Sequence, residues 1–416
     1  MVKQSERVNT LSYCLKNVRL ETSFIKENGI VMGTETKLYH LIIEDGKINR
    51  IIESTESIPD DVEVKDAKGL LLIPSFIEKH VHLDKTYMGG QWKACIPASG
   101  VVERCEIEKN MLASNPLSTR ERAEALLNVL LAAGSTHVRT HVDIYPEVGL
   151  RNLDGVKQAL EAYSDKVSSE VVAFAQHGLL RSGSVELIRE AVRNGAGIVG
   201  SVDPATVDND IEKSLVTLMD IAVEGNADID LHLHDPGHLG TFTMKRLAYL
   251  TKQAGWEGRV AVSHAFGLGD VSREEAREMA YILKDAGISI ITSLPIGKGV
   301  PVDLLTECGV EVAVGNDNIF DSWWPTGNGD ILERAGRLLE RYRWTNEVAL
   351  SQALRFITGG KTPLDRDGNQ VWPKEGDQAD MILVDASCSA EAMARRPKRK
   401  AVFYKGKLVS AGLDNQ

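Results

Sequence analysis

The stretch RVAVSHAFGLGDVSREEAREMAYILKDAGISIITSLP (259–295) carries one full period of the fold. A β-branched run, RVAVSHA (259–265), is followed by a polar turn. An amphipathic helical pattern, EEAREMAYILKDAG (274–287), then ends in glycine, and a second β-branched run, ISIITSLP (288–295), begins. Glycine is where helices commonly stop, and a strand, helix, strand rhythm is the unit of a parallel sheet. The rhythm recurs from about residue 70 onward, in LLIPSFIEKHVHL (71–83), THVRTHVDI (136–144), VVAFAQHG (171–178), GIVGSVDPA (197–205), DIDLHLHD (228–235) and VEVAVGNDNI (310–319). Helical patterns such as RERAEALLNVLLAAG (120–134) and VELIREAVRNGAG (185–197) lie between them. Eight strand-helix units predict a closed (β/α)8 TIM-like barrel rather than an open sheet.

The flanks follow another period. Residues 12–70 (LKNVRL, YHLIIEDGKINRIIE, VEVKDAKGLLL) and 380–412 (DMILVDAS, RKAVFYKGKLVSAG) alternate apolar and polar residues with Asp-Gly and Lys-Gly turns, the signature of antiparallel strands. The predicted organisation is a barrel over 71–375, with 1–70 and 376–416 pairing into one small β-sandwich domain built from both termini. The basic run Arg395–Lys400 reads as a solvated turn within it.

At 416 residues and 43% hydrophobic content, the chain can bury a large core. A net charge of −11 argues against nucleic acid and anionic membranes as partners and favours a neutral or cationic small molecule. The five cysteines are scattered with no Cys-x-x-Cys spacing, which predicts reduced thiols in a cytoplasmic protein. The first residues, MVKQSERVNT, lack the apolar core of a signal peptide, and no apolar run is long enough for a membrane span. A homo-oligomer is left open.

Polar residues of one kind collect at the ends of the predicted strands. His80-Val81-His82 ends the first, and alternation turns both imidazoles to one side. His232-Leu233-His234-Asp235 ends the fifth, His264 the sixth and Asp317 the eighth. Barrel enzymes keep their catalytic groups at these ends, and histidine with carboxylate suits zinc or iron. No dinucleotide fingerprint, phosphate loop or nucleophile elbow competes with this reading.

The strings EKHVHLDK (78–85), HVRTHVD (137–143), VVAFAQHG (171–178), VGSVDPAT (199–206), DIDLHLHD (228–235), GRVAVSHA (258–265) and NDNIFDSWWPTGNGDIL (316–332) resemble the amidohydrolase superfamily. Within it, they resemble the branch of cytosine deaminase and N-isopropylammelide isopropylamidohydrolase. The resemblance implies one divalent metal, zinc first and iron as the alternative, held by His80, His82, His232 and Asp317. It implies His264 as the residue that orients or deprotonates water, and Asp317 as a proton relay to the leaving amine. Asp235 stands where cytosine deaminase has a glutamate that protonates the ring, so His234 is a candidate to share that task. Gln176 resembles the glutamine that binds the ring carbonyl, and Asn318 stands in place of a second aspartate. Lys85 and Trp323 are candidate substrate contacts, while Asp203 and His141 read as supporting groups. The fourth strand lacks the lysine that bridges two metals in binuclear members, so one ion is expected.

The implied activity is hydrolysis of an exocyclic C–N bond on a small nitrogen heterocycle such as a pyrimidine or triazine, releasing ammonia or an alkylamine. Cytosine deamination proper, cyclic amide hydrolysis and a catalytically silent barrel scaffold are the alternatives.

Overall fold

The computed structural model describes residues 12–60, 62–297 and 299–411; the N-terminal decapeptide read above lies outside them. The N-terminal flank forms β1 (Ser12–Glu27), β2 (Ile30–Glu44), β3 (Lys47–Glu53), β4 (Glu63–Asp66) and β5 (Leu71–Pro74). The barrel strands are β6 (Phe76–Val81), β7 (Ser135–Asp143), β8 (Ser168–Ala175), β9 (Ile198–Ser201), β10 (Asp228–His232), β11 (Val260–Ser263), β12 (Ile288–Thr292) and β13 (Val312–Val314). The C-terminal flank adds β14 (Met381–Val384), β15 (Arg399–Tyr404) and β16 (Lys407–Ala411).

The two flanks meet as expected, in one eight-stranded sheet ordered β16-β15-β14-β5-β1-β2-β3, with β4 beside β1. β5 and β14 run antiparallel, Ile73 opposite Ile382 and Leu72 opposite Leu383. Two-residue turns join β2 to β3 through Asp45-Gly46 and β15 to β16 through Lys405-Gly406, all four residues at positive φ. Such turns match the twist of a hairpin. Side chains alternate between two buried faces: Leu71, Ile73, Ile382 and Val402 join the barrel core, whereas Leu72, Met381, Leu383 and Phe403 form the sheet's own core.

One correction concerns the first predicted barrel run. Residues 71–83 are two strands, because Leu71–Pro74 pairs with β1 and β14, and only from Phe76 does the chain enter the barrel. Proline cannot donate to a ladder and ends the terminal strand. Ser75 is the pivot, its amide donating to Asp380 O at 3.2 Å before Phe76 N donates to Gly134 O at 2.9 Å. Arg399 also departs from the solvated-turn reading: it is 8% exposed, donates through Nε to Ala133 O at 2.7 Å and pairs with Asp330.

In the barrel, β6 to β13 are neighbours in chain order and all parallel. Closure falls beyond the short β13, where Asp317 N donates to His80 O at 2.6 Å and Val81 bridges Asp317. Glu78 accepts from Asn316 N at 2.9 Å and Asn316 Nδ2 at 2.6 Å across the same seam. Gly315 permits the approach, since a Cβ there would lie 2.4 Å from His80 Cβ. Helix starts at Ser118 and Ser272 carry capping boxes with Glu121 and Glu275. All five cysteines are unbridged, and no helix among the described residues is long and apolar enough to cross a membrane.

Glu21 in β1 sets a pH dependence. It is buried and accepts from both the amide and the hydroxyl of Ser389. Burial pushes its pKa up to about 7, against the Ser389 hydrogen bonds. A carboxyl raised on folding contributes stability below its unfolded pKa and loses it as pH rises through the folded value. Urea unfolding should therefore show the protein losing stability between pH 5 and pH 7.5 or so relative to Glu21→Gln. Parallel pH profiles for the two proteins would contradict this assignment.

Candidate metal centre

The chemistry-bearing side chains converge at the C-terminal mouth of the barrel. His80 is the next-to-last residue of β6 and His82 follows it, His232 ends β10, His264 follows β11 and Asp317 lies just beyond β13. The Nε2 atoms of His80 and His82 each lie 3.4 Å from Asp317 Oδ1. One donor atom from each of His80, His82 and Asp317 falls within 4.8 Å of the others. The His232 ring stands 4.6 Å from that of His80 and 5.6 Å from that of His82, and His264 lies 5.0 Å from both His80 and His232. Phe174 stacks on His232 at 4.1 Å.

Hydrogen bonding gives this cluster its meaning. His80 Nε2 and both ring nitrogens of His232 and of His264 are buried with no partner. Each such orphan costs about 1–3 kcal/mol, and a bound cation removes the cost where the lone pairs point at one place. Burial, then the Lys85 charge, pushes His82 down to about 3. Burial and neighbouring imidazoles hold His232 and His264 well below the ordinary histidine value. Neutral imidazole is the form that ligates. Burial alone would raise Asp317, but His264, His80 and His82 hold it well below the usual carboxylate range. Three imidazoles and a carboxylate at an open barrel mouth fit a zinc- or iron-type divalent cation.

The supporting groups are ordered behind this set. His80 Nδ1 is 2.9 Å from Ser263 Oγ, which donates to Asp230 Oδ1 at 2.6 Å, while Arg139 Nη1 donates to Asp230 Oδ2 at 3.0 Å. The chain fixes the tautomer: Nδ1 carries the proton and Nε2 keeps its lone pair. Asn318 Nδ2 donates to Asp317 Oδ1 at 3.0 Å, leaving its buried Oδ1 without a partner. His264 and Ala265 both sit at positive φ, 72° and 47°. Consecutive strained residues of this kind cluster at working sites. His141 is fully buried, 4.1 Å from His80 ring to ring, with neither nitrogen hydrogen-bonded and Nε2 3.9 Å from Asp230 Oδ2, which puts it nearer the centre than a peripheral support.

The pair after β10 divides its labour. Asp235 accepts from Thr206 Oγ1 at 2.6 Å and Ala205 N at 3.3 Å, so its carboxylate is spent on the loop after β9. His234 lines the central cavity with His82, Lys85, Gln176, Asn318 and Trp323. Its ring stacks on His264 at 4.3 Å, and its Nδ1 is 2.9 Å from Asp203 Oδ2. Trp323 forms part of the cavity wall, whereas Trp324 is half exposed.

Lys85, Gln176 and Trp323, which line the same cavity, join a buried polar cluster. The helix α1 (Val101–Ala113) delivers Glu108, a residue that sequence reasoning missed. Glu108 Oε1 accepts from Gln176 Nε2 at 2.9 Å and Oε2 from Trp323 Nε1 at 2.8 Å. Lys85 Nζ donates to Gln176 Oε1. Burial would lower Lys85, but Asp143, Glu108, Asp321 and Asp84 together hold its pKa above the ordinary lysine value. The signal was available: Val101, Cys105, Glu108 and Leu112 fall at helical spacing, which puts one carboxylate on an otherwise apolar stripe.

Fold and centre together define a (β/α)8 barrel with a candidate metal site at its C-terminal mouth, and similarity to known proteins is more specific. The amidohydrolase family profile matches residues 98–410. The uncharacterized protein YahJ of Escherichia coli (strain K12) is 39% identical over 401 residues, 95% of this chain and 87% of YahJ. The crystal structure of N-isopropylammelide isopropylaminohydrolase from Burkholderia multivorans superposes with a TM-score of 0.85 at 31% identity, over 96% of this chain and 98% of that one. That of 5-methylcytosine deaminase from Klebsiella pneumoniae does so with a TM-score of 0.76 at 25% identity, over 97% and 98%. The chain belongs to the amidohydrolase family.

Outer groups that orient metal-binding histidines are worth about 10–100-fold in metal affinity. Asp230→Asn should weaken zinc binding by about that factor in chelator competition, with the barrel still folded by circular dichroism. Unchanged affinity would mean that the Ser263 chain does not orient His80.

Proposed function

We propose that the protein is a mononuclear metal-dependent amidohydrolase that hydrolyses an exocyclic C–N bond on a small nitrogen heterocycle, a pyrimidine or triazine, releasing ammonia or an alkylamine. The observation that carries this reading is the meeting of His80 and His82 with Asp317, next to the buried imidazoles of His232 and His264 that have no hydrogen-bond partner, in a cavity also lined by the polar groups Gln176, Lys85 and Asn318. Two relatives act, by name, on an N-alkylated triazine and a methylated cytosine, which supports the substrate class.

His80, His82, His232 and Asp317 would hold the cation, zinc ahead of iron. When bound, it supplies Lewis acidity and brings the pKa of water to about 7. A single ion follows from β9 (IVGS) and the Val202-Asp203 that continues it, which offer no bridging lysine. His264, its ring nitrogens free, takes the proton of the attacking water. Asp317 relays a proton to the departing amine, held in orientation by Asn318. His234, with Asp203 behind its Nδ1, hands a proton to the ring nitrogen under attack. That task falls to His234 rather than Asp235 because Asp235 is tied to Thr206 and Ala205. Gln176 and Lys85 bind a ring carbonyl, and Trp323 covers the ring.

Zinc- or iron-loaded protein incubated with amino-pyrimidines and N-alkylamino-triazines should release amine from at least one member of the panel. Release from none would refute the proposal. On the responding substrate, His264→Ala should cost about 10²–10⁴-fold in turnover, the usual worth of a positioned acid-base group, with the metal still bound. Asp317→Ala should lose both metal and turnover. Full activity in either variant would overturn the assigned roles.

A further inference from the structure

The Gln176 amide is bracketed by groups of opposite hydrogen-bonding character. Lys85 Nζ donates to its Oε1, and its Nε2 donates to Glu108 Oε1 at 2.9 Å. An ammonium has only donors and a carboxylate only acceptors, so the amide has one orientation. Glu108 Oε2 accepts from Trp323 Nε1 at 2.8 Å. Glu108 is 2% exposed and comes from α1, a helix outside the run of barrel strands.

We infer that Glu108 is a specificity-determining positioning residue, which fixes the Gln176 amide edge and the Trp323 indole as one surface against the bound ring. The inference rests on the heterocycle reading and deepens it. Gln176 Oε1 is partly occupied by Lys85, while Lys85 keeps further N–H groups beside it. The Trp323 indole N–H and one Nε2–H of Gln176 are spent on Glu108 and the second Nε2–H lies toward Cys105 Sγ at 3.8 Å, so the donors this surface offers a ring are the remaining N–H groups of Lys85, which suit a ring oxo group over a ring amino group.

Glu108 can do this because it offers two acceptor oxygens to two donors. Glutamine at 108 offers one, so either Gln176 or Trp323 faces an NH2 group and moves. Tryptophan's indole can only donate, and Gln176 cannot flip without placing its NH2 against Lys85. Removing the second donor as well, in Trp323→Phe with Glu108→Gln, restores it, because the lone acceptor of the new side chain then serves Gln176.

The test uses full-length zinc-loaded protein and paired probes that differ by one oxo-for-amino exchange: 4-amino-2-oxopyrimidine against 2,4-diaminopyrimidine, and the oxo-diamino triazine against melamine. Affinities are read by calorimetry. Wild-type protein should prefer the oxo member in at least one ring series. E108Q should reduce that preference about 10-fold, the size of one lost buried hydrogen bond, at unchanged metal content. The double variant W323F/E108Q should recover most of it. In 15N-tryptophan-labelled protein, the Trp323 indole signal, assigned by its absence in W323F, should move in E108Q while those of the other five of the six tryptophans stay.

An unchanged preference in E108Q, or no recovery in the double variant, overturns the inference while leaving the heterocycle reading intact. An unmoved Trp323 signal also overturns it, because the indole would then not depend on Glu108. Failure of wild-type protein to bind any of the rings, with the Trp323 signal moving as expected, overturns the heterocycle reading and the specificity role with it. The contact itself would then be structural.

Discussion

The hydrogen bond from Asp317 N to His80 O, 2.6 Å long, is where the barrel closes and where the candidate centre is assembled. β13 has only three residues, so the last strand ends before the mouth, and the seam is completed by the residues that follow it. Asn316 reaches Glu78, Asp317 meets His80 and Val81, and Gly315 allows the backbones to approach. Asp317 adopts φ 63° to make this turn. The strain and the closure are one feature: the backbone that completes the barrel aims the Asp317 carboxylate at two imidazoles from the opposite side of the seam.

Such a centre would be a poor way to fill a barrel if it had nothing to bind. A core of leucine and valine could close the same space, and much of the rest of the interior does so. Here several imidazoles and carboxylates are buried together, and nitrogens of His80, His141, His232 and His264 have no hydrogen-bond partner. The supporting chains resolve part of that cost. Ser263 and Asp230 satisfy one side of His80, whose Nε2 lies 3.4 Å from Asp317 Oδ1, and Asp203 does the same for His234, which lines the cavity. The protein thus orients His80 and His234 by internal hydrogen bonds and leaves both ring nitrogens of His232 and His264 without one.

Much of this was legible in the chain. The β-branched runs predicted the barrel because strands buried on both faces leave a simple signature, and the flanks paired because period-two alternation with Asp-Gly and Lys-Gly turns has few other solutions. The convergence of His80, His82, His232, His264 and Asp317 followed from strand ends alone. What was not legible depends on tertiary direction. Residues 71–83 looked like one strand because two sheets share the same hydrophobic run across Pro74 and Ser75. Asp235 and His234 are adjacent, and only the neighbouring loop, through Thr206, decides which one faces the cavity. Glu108 lies on the apolar stripe of α1, a helix that reaches the centre from outside the strand order, so the pattern of strand ends does not include it. Arg399 looked solvated because its partners, Ala133 O and Asp330, are distant in sequence.

The central claim is that one cation binds where the two ends of the barrel meet. Anomalous diffraction from crystals of the zinc-loaded protein tests it directly. The account predicts a single strong peak at bonding distance, about 2.0–2.2 Å, from His80, His82, His232 and Asp317 together. A peak held instead by His82, Asp84 and Asp143, a second peak of equal height, or none at the mouth of the barrel would contradict it.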